Sequence, residues 1–570
     1  MKTKALYLTA ALGLMLGFSS CNLDTFPSDE LNSDLLLQDS KGAEYIMDGC
    51  YAILKDEVEF LGYSSGNTYI RHYTQLAEFP ADNICLSAHT TDPLYEATAY
   101  MMNDGLKNVG TLWMVAYKAI YMCNTVIETL DEANADNHQL LGEAYFMRGL
   151  MHLHLVTLYA LPYSYGRDNL GVPLRTSTST EITKRDPVGD VYDQIVKDLK
   201  KASDLMGASR GNAGYPSKDA ALGVLSRVYL YMEDYDNCIK TVNDMLNGAD
   251  PASKLEPTAT FPKYFANAKT SKETLFCVAH EMSDDRGQSS IGSMYLKDGI
   301  GWGEIYPSDP LMYLYERYPS DVRYTGFLVP QFSGDATKKV YVTIPASDEA
   351  EAPHIKSRFN LIDDGAGNYS FKEGSTTYNI ESRKINGEGK ADASGEYVEY
   401  HVNYKGEDCL CRINKDVTLR VGYTIPMIFV NKFSYQDGNP MLSSPVLCRW
   451  AEVILNRAEA YARNGDATKA LDDVNVIRTR AGIPAAGLFS TANMHGYDNA
   501  INVVMDERRM ELAFEGFRMH DVYRNKQDMN RKYAGAHPWK IHKWDQEQHI
   551  VYPIPNNEWT VSGIPQNPGY

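Results

Sequence analysis

Residues 451–484 carry small and large apolar side chains at the spacing of two short helices that pack together. Ala458 and Ala470 are small enough to let antiparallel helices approach closely, and Gly465 with Asp466 provides the turn. The pattern follows the 34-residue tetratricopeptide spacing. Its positions are Ile454, Ala458, Tyr461, Ala470, Val474 and Ile477, and Pro484 closes the unit. Repeats of this kind stack into a curved scaffold that offers a surface rather than a reaction centre.

A weaker copy of the pattern lies in the first half of the chain, around a turn at Glu233 and Asp234. Its positions are Leu222, Leu225, Ser226, Tyr229, Cys238, Val242 and Met245. Residues 112–130 and 142–159 each carry an apolar stripe of helical period and predict two further helices. The apolar stripes by themselves would also fit amphipathic helices in some other all-helical fold. The same paired offsets in two places favour a mainly α fold on a tetratricopeptide-like helical repeat scaffold.

The middle of the chain, residues 256–440, has a different character. It is rich in Gly, Ser, Asp and Tyr, with short alternating pieces at 339–343 and 397–402. These pieces predict an irregular second region of short strands and long loops, laid on the helical scaffold. Long loops on a compact protein are where binding residues usually concentrate.

The N-terminus has the features of an export signal. Lys2 and Lys4 precede an apolar stretch over residues 5–18 that is too short for a comfortable membrane span. Small residues then stand directly before Cys21, as in a bacterial lipobox, where the signal is cut before the cysteine and its sulfur is acylated. An ordinary secretory signal is the alternative. The pattern predicts a signal peptide over 1–20 and a lipid on Cys21.

The net charge argues against a nucleic-acid binder, and the cysteine content argues against a metal site built from thiols. The 570 residues carry a net charge of -19, which argues against a nucleic-acid binder because phosphate contacts need clustered Lys and Arg. Eight cysteines follow Cys21, which is sparse for a disulfide framework, and no pair of them completes a zinc site. Cys50, Cys123, Cys238 and Cys448 fall inside apolar helical patterns. We expect mostly buried thiols and no metal held by sulfur.

The sequence contains no convincing constellation of catalytic residues. Residues 62–66 have the G-x-S-x-G spacing of a hydrolase elbow around Ser64. An elbow needs a core strand before it and a helix after it, and residues 67–69 do not begin a convincing helix, which favours a flexible loop. The glycine run 299–303 lacks the spacing of a dinucleotide loop. His152 and His154 stand two residues apart on a helix and form a poor metal pair.

Aromatic residues in the loops are the remaining candidates for chemistry. The chain holds 40 Tyr against 17 Phe and 6 Trp, and Tyr combines an apolar face with a hydroxyl group. Trp302 stands between glycines and is followed by Tyr306. Its indole would suit the C–H face of a sugar ring, with Arg, Asp and Asn side chains binding the hydroxyl groups. A hydrophobic plug beneath a loop is the alternative role for Trp302.

The C-terminal part closely resembles the SusD/RagB family. Residues 506–518, DERRMELAFEGFR, followed by Asp521 and Arg524, are similar to that family's signature. Residues 449–482, the YPIP segment at 552–555 and the last five residues also resemble family segments. In the first half, residues 113–124 and 142–149 resemble its second and third helices. The resemblance covers nearly the whole chain.

This resemblance implies about four tetratricopeptide-like helix pairs and a surface-facing outer-membrane lipoprotein. It further implies capture of oligosaccharides or polysaccharides and their delivery to a SusC-like TonB-dependent transporter, with no catalysis and no cofactor. Some relatives capture peptides, which leaves a peptide ligand as the alternative, and a glycan-active hydrolase using Ser64 as a weaker one. The implied divisions are 1–20 signal peptide, 21–255 N-terminal helical region, 256–440 variable region and 441–570 C-terminal helix pair with the signature.

The signature residues have a structural interpretation. Arg509, Glu511, Glu515, Arg518 and Asp521 stand three or four residues apart, which predicts ion pairs that lock the last helix onto the repeats.

In relatives, ligand surfaces come from loops in the N-terminal region and the variable middle. The corresponding stretches here predict six ligand-binding residues: Trp302, Tyr306, Tyr100, Asn103, Arg71 and Asp82. Trp302 and Tyr306 would stack on the ligand, and Tyr100 with Asn103 would form a second pair one helical turn apart. Arg71 and Asp82 would bind hydroxyl groups. A structural Ca²⁺ near Asp363, Asp364 and Gly365 is a weaker expectation.

Overall fold

The computed structural model describes most of the chain after residue 40. The described residues are 41–570 except 60, 61, 63–65, 67, 88–93, 180, 182, 183, 298, 335, 336, 345–353, 384–398, 421–424, 534, 539, 540 and 547–549. The predicted signal peptide and Cys21 therefore lie outside the described residues. Across the described residues, none of the helices combines the length and apolar character that a bilayer span requires.

Helices form the largest part of the fold. The α-helices are α1 Gly42–Ala52, α2 Tyr69–Glu78, α3 Leu94–Thr98, α4 Lys107–Thr129, α5 His138–Tyr159, α6 Val188–Leu205, α7 Lys218–Tyr231, α8 Tyr235–Leu246, α9 Ile291–Tyr295, α10 Asp309–Glu316, α11 Val322–Phe327, α12 Trp450–Arg463, α13 Ala467–Arg480, α14 Ala500–Glu511, α15 Arg518–Arg524 and α16 Asn556–Ser562. The helices predicted at 112–130 and 142–159 correspond to α4 and α5, which begin earlier, at Lys107 and His138.

Eight of these helices pack in succession and form one scaffold. Helix α4 packs on α5, α5 on α6, α6 on α7 and α7 on α8, and α8 then packs on α12, which carries α13 and α14. Helices α8 and α12 are neighbours in space although the whole middle of the chain lies between Leu246 and Trp450. The predicted mainly α fold with tetratricopeptide-like helices and a strand-rich second region is confirmed.

The two predicted helix pairs turn in the same way. Between α7 and α8, Glu233 has a φ of 60°, and the Asp234 side chain accepts a hydrogen bond from the Asn237 backbone N–H. Between α12 and α13, Gly465 has a φ of 83°, and Asp466 caps Lys469 in the same manner. A left-handed residue followed by an N-capping aspartate ends one helix and begins the next within a few residues.

A buried polar contact joins the two helix pairs. The Arg227 guanidinium on α7 donates to both carboxylate oxygens of Glu452 on α12, at 2.6 and 2.7 Å. Beside it, the Asn456 amide donates to the Ser226 hydroxyl at 3.0 Å. All four side chains are buried, so this contact fixes how α12 sits against α7.

Most strands belong to the middle of the chain. The strands are β1 Ile84–Leu86, β2 Thr274–Cys277, β3 Ile305–Pro307, β4 Leu328–Pro330, β5 Lys338–Ile344, β6 His354–Asn360, β7 Ile362–Asp363, β8 Tyr369–Glu373, β9 Thr376–Arg383, β10 Glu399–Tyr404, β11 Glu407–Lys415, β12 Ile428–Val430, β13 Val446–Arg449, β14 Met529–Asn530 and β15 Ile541–His542. The predicted strand at 339–343 lies within β5, and the part of 397–402 that is described lies in β10.

Seven strands form one antiparallel sheet in the order β6-β5-β11-β10-β9-β8-β7. Only Leu361 separates β6 from β7, so one run of chain joins the two ends of the sheet. The sheet therefore curls around its own apolar core, and Phe359 of β6 stacks on Phe371 of β8 with ring centroids 4.3 Å apart. This part of the second region is more regular than the predicted loops and short strands.

The cysteines after Cys21 are buried and free, as expected for most of them. Cys409 and Cys411 point to the same side of β11, into the core of the curled sheet. Cys448 lies on strand β13 and not on a helix, which corrects the helical pattern inferred for it. Its segment pairs with β2, and this pairing overrides the local apolar period.

A buried cluster of charged side chains joins the C-terminal signature to the rest of the molecule. We call it the central charge cluster; its residues are Glu273, Arg323, Lys432, Arg449, Arg480, Glu511 and Glu515. Arg449 donates to Glu511 at 2.6 Å, to Glu273 at 2.9 Å and to Glu515 at 2.9 Å. The predicted locking role of the signature is confirmed. Most of its partners, however, come from distant segments and not from neighbouring helical turns.

Candidate functional site

Trp302 is the predicted site residue that the structure exposes most clearly. Its side chain is 54% exposed, so the alternative role as a hydrophobic plug does not apply. Gly299 and Gly303 have φ values of 90° and 61°, and a Cβ on Gly301 would lie 2.3 Å from the Ser293 carbonyl oxygen. Glycine favours the left-handed backbone at 299 and 303, and at 301 a side chain would clash, so the three glycines let the loop hold the indole out of the surface.

The indole is fixed from one side by a neighbouring loop. Its Nε1–H donates to the Gln288 carbonyl oxygen at 2.9 Å, and the Gln288 amide donates in turn to the Ile300 carbonyl oxygen at 3.2 Å. Ile300 is also exposed. We call Trp302, Ile300, Gln288 and Ser289 the Trp302 ledge. An aromatic face held in one orientation loses little conformational entropy when a ligand binds.

Arg71 lies beside the Trp302 ledge but is largely buried. Its guanidinium donates to the Gly66 carbonyl oxygen at 3.2 Å. A Cβ on Gly66 would lie 3.2 Å from the Ser289 side chain, so Gly66 stands directly against the ledge. The structure thus places Arg71 near Ser289 of the ledge, where its guanidinium holds the Gly66 backbone.

Tyr306, expected to stack on a ligand, is fully buried, and this expectation is corrected. It lies on β3, where it pairs with Cys85 of β1, and its ring packs edge-on against Phe429 at 5.5 Å. The short strand pair places its side chain in a small apolar core.

Asp82, expected to bind ligand hydroxyl groups, is instead a buried partner of the signature. Its carboxylate accepts hydrogen bonds from Arg518 at 2.7 and 3.0 Å and lies 3.3 Å from Arg509. Burial opposes ionisation, but Arg509 and Arg518 outweigh it and lower the pKa of Asp82 to about 2. The residue joins the N-terminal region to α15 and has no open face for a ligand.

Tyr100 and Asn103 do not form the predicted pair. Tyr100 follows the end of α3 with a φ of 56° and is buried; its hydroxyl donates to the Pro80 carbonyl oxygen at 2.7 Å, and its ring stacks on His542. Asn103 is exposed, but its side-chain oxygen accepts from the Gly105 N–H at 3.1 Å. The expected helix does not extend through these residues, because α3 ends at Thr98.

The catalytic and metal motifs gain no structural support. Ser64 lies outside the described residues, and helix α2 does begin at Tyr69, which corrects the expectation of no helix there. The described residues between α1 and α2 form no strand, so an elbow's core strand is missing from them. Within the described part of the chain, no three His, Cys, Asp or Glu side chains are grouped to hold a metal ion. At the suggested Ca²⁺ position, Asp364 accepts backbone N–H groups of its own turn.

Sequence reasoning missed one aromatic surface. Trp113, Tyr117 and Tyr121 stand four residues apart on α4 and line a groove outside the Trp302 ledge. The spacing of four residues was visible in the sequence, since it places side chains on one helix face.

The buried Glu78 predicts that the free energy of unfolding depends on pH. Its carboxylate accepts N–H groups of Phe514 at 3.2 Å and Gly516 at 3.0 Å, yet burial raises the pKa of Glu78 to about 7 from an ordinary 4.5. Between these values the unfolded chain binds fewer protons than the folded one, so this group's contribution to stability is lost as pH rises. In Glu78→Gln we expect the unfolding free energy to depend less on pH, by about 1 kcal/mol per pH unit from pH 5 to 7.

Thermal and urea unfolding at pH 5, 6, 7 and 8 measures this difference. The exposed Glu57→Gln serves as the control variant. Parallel pH curves for the native protein and Glu78→Gln would contradict the assignment.

Two family models match the chain. The model described as the SusD family matches residues 272–570, just over half of the chain. A second model, described as starch-binding and associating with the outer membrane, matches residues 31–230.

Individual relatives agree with these matches. The chain is 23% identical over 490 residues to SusD-like protein P2 of Formosa agariphila, covering 83% of each chain. A SusD superfamily protein from Bacteroides thetaiotaomicron has a similar fold, with a TM-score of 0.68, 21% identity and coverage of 93% of this chain and 99% of that one. A structure described as a putative sugar binding protein from Bacteroides vulgatus gives a TM-score of 0.65 and 21% identity, with coverage of 93% and 98%. With this fold, the buried signature and the family match, the chain belongs to the SusD/RagB family.

Proposed function

We propose that this protein binds oligosaccharides at the Trp302 ledge and passes them, unchanged, to a SusC-like TonB-dependent transporter in the outer membrane. The observation that carries the proposal is the exposed and fixed indole of Trp302. The description of the matching family model as starch-binding and the sugar-binding description of a similar structure support a sugar ligand.

The ledge has the chemistry that a sugar ring needs. The face of Trp302 offers an apolar platform for ring C–H groups, and the exposed Ile300 extends it. Gln288 and Ser289 add side-chain groups that can donate to and accept from hydroxyl groups. Such a site recognises a ring by its shape and by hydrogen bonds.

The proposed anchor is a lipid on Cys21, after removal of residues 1–20. Several acyl carbons would hold the protein at the outer membrane, since each buried CH₂ contributes about 0.8 kcal/mol. The anchor would keep the Trp302 ledge close to the transporter on the cell surface. Incorporation of labelled palmitate into the native protein, and its loss in Cys21→Ala, tests this part.

Titration calorimetry with maltohexaose, cellohexaose, laminarihexaose, xylohexaose and mannohexaose tests the proposed ligand class. We expect at least one of these oligosaccharides to bind and to be recovered at its original length. Binding of peptides from a tryptic digest with no response to any sugar would favour the alternative of peptide capture. Shortened sugar products would overturn the assignment as a non-enzyme.

A further inference from the structure

A groove of about 350 Å³ runs along helix α4. It is bounded by α4, by the segment that follows α5, and by α16. We call it the α4 groove; it is lined by Trp113, Met114, Tyr117, Tyr121, Asn124, Pro173, Arg175, Ser177, Ser179 and Glu558. None of these residues belongs to the Trp302 ledge. The volume lies at the lower end of the range for small-molecule sites, about 300–1,000 Å³.

One wall of the groove is aromatic. Trp113 and Tyr117 lie one helical turn apart with ring centroids 5.0 Å from each other, and Tyr121 continues the row by another turn. The Tyr117 hydroxyl donates to the Pro173 carbonyl oxygen at 2.9 Å, which fixes this ring. Tyr121 is 48% exposed, so its face is open at the rim of the groove.

The opposite wall is held in place from behind by buried polar groups. The Asn124 amide donates to the carbonyl oxygens of Arg175 and Ser177, at 3.2 and 2.9 Å. Arg148 donates to the Asn124 side-chain oxygen at 2.9 Å and is itself bound by both carboxylate oxygens of Asp198. The segment beside the groove is therefore positioned before any ligand arrives.

Polar groups complete the lining. Glu558 lies on α16. Burial raises the pKa of its carboxyl group, while a hydrogen bond from Trp113 and the charge of Arg175 act in the opposite direction. Ser177 and Ser179 expose hydroxyl groups on the facing segment. The groove thus combines an aromatic face with a carboxyl, a guanidinium and hydroxyl groups, the set that binds a polyhydroxylated ring.

We propose that the α4 groove is a second sugar-binding subsite, which holds one or two rings against Tyr121 and Tyr117. The choice of a sugar as occupant rests on the proposed function, while the location of the subsite rests on the groove alone. A protein with two separate subsites would bind a long chain at two points and gain affinity through the linkage between them.

Saturation-transfer NMR with the same five hexasaccharides tests the subsite in the Trp302→Ala background. We expect saturation transfer to at least one sugar to persist in Trp302→Ala. Adding Tyr121→Ala should weaken this residual binding about tenfold, because the open ring is lost. Tyr45→Ala is the matched control, since Tyr45 is also a helical tyrosine with 48% exposure but does not line the groove. Glu558→Gln, which preserves shape, should weaken binding while the melting temperature stays unchanged.

The outcomes separate this proposal from the proposed function. If Trp302→Ala alone abolishes all sugar binding, the second subsite is refuted and the Trp302 ledge stands. If Tyr121→Ala abolishes binding and Trp302→Ala has no effect, the α4 groove stands and the ledge is refuted. Absence of sugar binding at both sites overturns the sugar assignment of the groove. The same holds if saturation transfer is seen only to peptides from a tryptic digest and is lost in Tyr121→Ala.

Discussion

Glu511→Ala is expected to lower the free energy of unfolding by about 3–5 kcal/mol, enough to unfold a marginal protein. Glu511 ends helix α14 and is buried. Its carboxylate accepts from Arg449 at 2.6 Å, from Arg323 at 3.2 Å and from Arg480. Burial opposes ionisation of Glu511, yet these three cations outweigh it and hold its pKa well below the ordinary range. Removing the carboxylate would take one of the shared counter-charges from three buried guanidinium groups, which would then be incompletely paired.

Urea unfolding followed by far-UV circular dichroism measures this loss. Glu132→Ala is the control, because Glu132 makes an exposed ion pair with Lys201 and such pairs contribute little. Glu511→Gln keeps the shape and separates the loss of charge from the loss of volume. A change below about 1 kcal/mol in Glu511→Ala would show that the central charge cluster does not hold the fold.

Trp302→Ala is expected to weaken binding of the preferred oligosaccharide about thirtyfold, or by about 2 kcal/mol. The indole is the largest exposed apolar surface of the ledge, and its hydrogen bond to Gln288 fixes its orientation before the ligand arrives. Truncation removes the stacking face and leaves the rest of the fold in place, since the side chain is more than half exposed. Calorimetric titration of both proteins measures the ratio of dissociation constants.

Trp559→Ala provides the matched control for this comparison. Trp559 is also exposed, at 38%, and its Nε1–H also has a partner, the Asp104 carboxylate at 2.8 Å. It lies on α16 and is not part of the ledge. Equal binding by Trp302→Ala and the native protein would refute the Trp302 ledge as the ligand site. An equal loss in both variants would mean that the loss is not specific to the ledge.

Local patterns in the sequence were sufficient to predict the helix pairs. The residues that make α12 and α13 recur at fixed offsets, and their burial depends on helices formed by neighbours in sequence. The glycines beside Trp302 suggested an exposed indole, and the structure decided between that role and a hydrophobic plug. Both features depend on residues within a few positions of each other.

The wrong site predictions depend on contacts between distant segments. Tyr306 is buried because β3 pairs with β1, more than two hundred residues earlier, and no local pattern fixes that pairing. The charged carboxylate of Asp82 is paired with Arg518, which lies 436 residues further along the chain. The ion pairs of the signature were predicted from spacings of three or four residues, and such local spacing cannot identify a distant partner such as Arg449.

Because α8 packs on α12, the first half of the chain cannot complete its packing until α12 has been synthesised. A chain under synthesis leaves the α12-facing sides of α7 and α8 uncovered until residues beyond Trp450 have emerged, and until then Arg227 on α7 lacks its partner Glu452. A chain that ends within residues 256–440 would expose the apolar helix face that α12 normally covers. Its Arg227 would have no carboxylate partner. We therefore expect interrupted chains to be recognised and degraded by proteases as unfinished, even when their first half has already formed helices.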